Sequence, residues 1–65
     1  MNVNKLKGKM VEKEKNIDWL AGVLDCDKST AYRKINTFEK LTIGDASKIK
    51  KGLELSEAEA LEIFL

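Results

Sequence analysis

Lys28, Ser29, Tyr32 and Arg33 are the residues whose types and spacing bear most directly on chemistry. At about 100° per residue they share one arc of a helix, and Ala31 and Ile35 share another. An ammonium, a hydroxyl, a phenol and a guanidinium side by side make a cationic surface rich in hydrogen-bonding groups. Such a set binds rather than reacts. The chain has no His, so its one cysteine, Cys26, has neither an imidazole to activate it nor companions for a metal site. Cys26 reads instead as a small, partly buried hydrophobe in a turn. Gly8, Gly22, Gly44 and Gly52 are isolated and form no phosphate-cradling motif. No enzyme, cofactor, metal or small-molecule ligand is expected.

The stretch Asn16 to Asn36 positions that arc. Ile17, Leu20, Ala21 and Leu24 recur at i, i+3, i+4 and i+7, the apolar stripe of an amphipathic helix, and Asn16 precedes them as an N-cap. Asp25-Cys26-Asp27 is too short and polar to continue it, and Asp27 can cap a second helix that begins at Lys28. Trp19 and Val23 lie on the outer side of the first helix of this pair. Something must cover them: the chain's own tail, where Ile63 and Leu65 lie off the Leu61 and Phe64 face, or another protein.

Around this pair the periodicity predicts helices over about 3–14, 17–24, 28–36, 43–52 and 57–64, in an all-α fold with no strand. Val3, Leu6 and Met10 form the first apolar face; Gly8 within it marks either a close helix approach or a tolerated weakness. Asn36 to Leu41 reads as a loop pinned by Phe38 and Leu41. Thr42 caps a fourth helix that buries Ala46, Ile49 and Leu53 and stops at Gly52. Ser56 and Glu59 form the capping-box pattern of a last short helix through Leu61 and Phe64.

The 65 residues make a single domain that buries only about 60% of its unfolded surface. Hydrophobic content of 43% and charged content of 35% are those of a globular protein, and no apolar run approaches the roughly 20 residues of a membrane span. Without an apolar signal segment, a cytoplasmic location is expected. Net charge is +1, but it is unevenly spread: residues 1–51 hold all 12 basic residues against seven acidic ones, while residues 52–65 hold four Glu and no base. The chain is basic at one end and acidic at the other.

Leu20-Ala21, Leu24 and the run Lys28-Ser29-Thr30-Ala31-Tyr32-Arg33-Lys34-Ile35-Asn36 resemble the helix-turn-helix of the lambda Cro and repressor type. With LKGKMVEK near the start and EIFL at the end, nearly the whole chain is similar to small Cro-like regulators of phages and prophages. That resemblance implies a five-helix repressor-like domain that binds double-stranded DNA, in a bacterial or phage-infected cell. It implies base reading in the major groove by Lys28, Ser29, Tyr32 and Arg33, with Arg33 able to bond G O6 and N7 together. Lys15, Asn16, Thr30, Asn36, Lys40 and Thr42 would meet the DNA backbone. A homodimer, at least on DNA, follows from paired half-sites.

Three residues depart from the family pattern. Ile17 stands where Gln often contacts a phosphate, Asp25 where Gly often turns the chain, and Asp27 where Ser usually caps. Both acids add negative charge near the DNA side. They motivate a second reading, a protein-interaction module that binds another regulator through Trp19, Val23 and the acidic last helix.

Overall fold

The computed structural model describes residues 2–37 and 41–65. Within them lie five helices: α1 (Val3–Glu12), α2 (Ile17–Leu24), α3 (Lys28–Thr37), α4 (Ile43–Gly52) and α5 (Glu57–Phe64). No strand occurs among the described residues. The expected all-α class is therefore observed, with α1 ending two residues early and α3 running one residue further.

Local chemistry accounts for the boundaries. Asn2 Oδ1 accepts the Lys5 amide at 3.0 Å, and Asn16 Oδ1 the Trp19 amide at the same distance, so both satisfy otherwise unpaired N–H groups at a helix start. Ser56 and Glu59 form the expected capping box, and Thr42 forms a second one with Asp45. Three helices end on an acidic residue in the left-handed region: Glu14 (φ 58°), Asp25 (φ 54°) and Glu54 (φ 54°). At α1 the Lys15 amide donates to the Met10 carbonyl at 2.7 Å and the Glu14 amide to Val11 at 3.0 Å, the paired bonds of a Schellman ending. Glu54, rather than Gly52, makes the reversal after α4.

One core joins the helices. Leu6, Leu20, Ala31, Ile49 and Ile63 have no accessible surface, and Met10, Leu24, Ile35, Leu53 and Leu55 surround them. α2 is packed against both α3 and α4, while α1 lies against α3 and α5. The Asn2 amide donates to the Ile63 carbonyl at 2.8 Å, tying the start of the chain to α5. The burial of α5 differs from the sequence reading. Ile63 is its buried residue, whereas Leu61 is 54% and Leu65 84% exposed. Of the expected Leu61 and Phe64 face, Phe64 packs against the core and Leu61 does not, because α5 packs on α1, where Lys5–Glu62 and Lys9–Glu59 ion pairs flank the contact.

Trp19 and Val23 are half-buried and pack on the core. For Trp19 the cover includes α4: a Cβ on Gly52 would sit 2.6 Å from Trp19 Cζ2 and 3.1 Å from Cη2. Gly52 is thus the residue that lets the indole lie against α4. Gly8, by contrast, has nothing within 4 Å of where its Cβ would be, so it is a tolerated weakness. The two glycines should respond oppositely to alanine. In thermal melts, Gly8→Ala is expected to add about 0.5–1 kcal/mol and Gly52→Ala to remove about 1–3 kcal/mol by displacing the ring.

Glu59 also carries a pH signature. The Lys9 ammonium, with the Ser56 amide, lowers its carboxyl from 4.5 to about 2. A depressed carboxylate stabilises the fold above its unfolded value and loses that contribution as the pH falls through the folded one. Stability should therefore decline between pH 4.5 and about 2, and Glu59→Gln should flatten that part of an acid titration followed by circular dichroism.

Candidate nucleic-acid interface

The turn between α2 and α3 is built from three residues. Asp25 adopts φ 54° and ψ 50°, which lets the Cys26 amide reach back to the Ala21 carbonyl at 3.0 Å. Cys26 turns inward and packs against the core, as a small hydrophobe in a turn should. Asp27 Oδ1 then accepts the Thr30 amide at 2.7 Å and starts α3. That amide, the Thr30 hydroxyl and the charge of Arg33 hold the Asp27 carboxyl below its ordinary range. Asp27 therefore keeps its charge at this helix end, where negative charge is favoured.

With Ala31 and Ile35 buried, α3 presents Lys28, Ser29, Tyr32 and Arg33 on its exposed surface; Tyr32 is 54% accessible. The four residues grouped by sequence spacing are thus grouped in space. Lys28 is not alone there, because its Nζ lies 2.7 Å from Asp18 Oδ1 at the start of α2. Tyr32 also lines a shallow groove of about 260 Å³ with Met10, Val11, Ile17 and Ile35, and Lys7 and Lys15 border the same groove. The structure accordingly brings Lys15 and Tyr32 to one place.

The residues expected to meet a nucleic-acid backbone divide into groups. Asn16 caps α2, and Lys15 Nζ sits 5.5 Å from the centroid of the Trp19 ring, a cation–π distance. Thr30 and Asn36 are half-buried on α3. Thr42 is committed to its capping box: its Oγ1 accepts the Asp45 amide at 3.0 Å, and its own amide donates to Asp45 Oδ2 at 3.2 Å. Lys40, like Phe38, lies outside the described residues.

Two ion pairs of α3 had no signal in local sequence, because each joins residues at least ten positions apart. One is Asp18 with Lys28. The other is Lys34 with Asp45, at 2.8 Å and largely shielded from water, which clamps the last turn of α3 to the first turn of α4. Burial pushes the Asp45 carboxyl up, but the Lys34 ammonium and Thr42 groups outweigh it and hold it below its ordinary range. The clamp fixes where α3 ends, and the Asp25 turn fixes where it begins. No family model, curated protein or solved structure matches the chain.

Asp25 is strained by its left-handed backbone, which glycine adopts without cost. Asp25→Gly is expected to raise stability by about 1 kcal/mol, or roughly 4–8 °C in melting temperature, with the α2–α3 geometry retained. Differential scanning calorimetry checks this directly.

Proposed function

We propose that the chain is a sequence-specific DNA-binding regulator of the Cro and repressor type, in which α2, the Asp25 turn and α3 act as a helix-turn-helix. The observation that carries the reading is the exposed arc of Lys28, Ser29, Tyr32 and Arg33 on a helix whose other side is locked into the core by Ala31 and Ile35. A short helix with a rigid inner face and a cationic, hydrogen-bonding outer face has the form that enters a major groove. Arg33 supplies bidentate reading of guanine, Ser29 and Tyr32 supply hydroxyls, and Lys28 reaches a base or a phosphate. The regulator acts by occupying an operator and excluding polymerase.

Paired half-sites require a second copy. The apolar surface of α4 and α5 suits that copy: Ile43, 91% exposed, adjoins Leu61 and Leu65 around a groove of about 280 Å³, with Lys50 and Glu57 beside it. Lys50 and Glu57 pair with each other, so the apolar centre has a neutralised edge and can face its own copy across a two-fold axis.

The competing reading, an interaction module for another regulator, draws on the acids at Asp25 and Asp27 and on Ile17. One experiment separates the two. Electrophoretic mobility shift with duplex from upstream of the chain's own gene should show sequence-specific binding whose affinity falls with salt at about −0.9 per phosphate neutralised, in log-log form. Arg33→Ala should weaken it by about 1–3 kcal/mol with unchanged circular dichroism. Equal binding to all duplexes at low salt, or full biological activity of the Arg33→Ala protein, contradicts the DNA reading.

A further inference from the structure

The exposed arc of α3 opens with a cation that is already matched. Lys28 Nζ and Asp18 Oδ1 are 2.7 Å apart, with the side chains 66% and 61% accessible, so water and salt reach both partners and the pair opens readily. Asp18 is not needed to cap α2, because Asn16 does so. Asp27, the other acid at the start of α3, has an oxygen on the Thr30 amide. Asp18 is therefore the acid in ion-pair contact with a side chain of the reading arc, whereas Asp27 meets Arg33 only through its charge.

We propose that Asp18 is a positioning residue that sets the specificity of this surface by holding Lys28. The inference rests on the DNA-binding reading above. Sequence-independent binding comes almost entirely from cations neutralising phosphates, and each one withdrawn removes a share of it. A lysine ammonium has three N–H donors, and Asp18 occupies one of them. While the pair is closed, the ammonium is held at the start of α2 and is withdrawn from phosphate. Base reading by Arg33 does not pass through Asp18, so the pair lowers indiscriminate binding more than it lowers discrimination.

The test is a double-mutant cycle of wild type, Asp18→Asn, Lys28→Met and the double variant. Fluorescence anisotropy measures each against two duplexes: one that the wild type enriches from a random library, and a scrambled duplex of the same length and composition. Asp18→Asn should tighten binding to the scrambled duplex about two- to fivefold and change the enriched duplex less than about twofold, so the specificity ratio falls. Its salt slope on the scrambled duplex, between about 50 and 200 mM, should steepen by about 0.9. In the Lys28→Met background, Asp18→Asn should leave the ratio unmoved. Equal tightening on both duplexes, or the same shift in ratio without Lys28, overturns the proposal in favour of a general charge effect. A wild type that binds neither duplex at the lower salt overturns the DNA reading and the proposal together, whereas specific wild-type binding with an unmoved Asp18→Asn ratio overturns the proposal alone.

Discussion

Three residues separate the last helical residue of α2 from the first of α3, and in that length the chain has to end one helix, reverse and cap the next. Asp25 does the first by taking a left-handed backbone, and Asp27 does the last by accepting the Thr30 amide. Cys26 lies between them and fills a gap in the core. The angle of α3, and with it the direction of Lys28, Ser29, Tyr32 and Arg33, follows from this turn. At the far end of α3 the Lys34–Asp45 pair fixes the other terminus. The proposed reading role needs both constraints, since a tilt at either end would redirect the exposed side chains.

Most of the framework was legible because it is local. Asn16, Asp27, Thr42 and Ser56 each satisfy amides within three residues, and helical spacing identified the buried Leu6, Leu20, Leu24, Ala31, Ile35, Ile49 and Leu53. What was not legible depends on docking between elements. The inward turn of Ile63 comes from the seating of α5 on α1, and the cover over Trp19 comes from Gly52 on a helix some thirty residues away. The end of α1 was missed because Glu14, an ordinary helix former, adopts a positive φ there.

The candidate site shows the same division. Its exposed arc could be read from spacing along one helix, and the structure keeps those four side chains together. Their electrostatic setting could not be read, because Asp18 and Lys28 meet only when α2 and α3 are brought side by side. The acids of the turn do structural work while lowering the cationic potential of the face. On the proposed reading, a net charge of +1 fits a surface whose attraction for phosphate is modest and whose discrimination rests on hydrogen bonds.

Backbone amide NMR during titration with the upstream duplex tests most directly whether α3 is the reading element. The expected result is that the largest shift changes fall on residues 28–33 and around Asn16, with Val23 and the Trp19 indole nearly unmoved. Changes concentrated on Trp19 and Val23 with residues 28–33 unmoved, or no change at low salt, would contradict it.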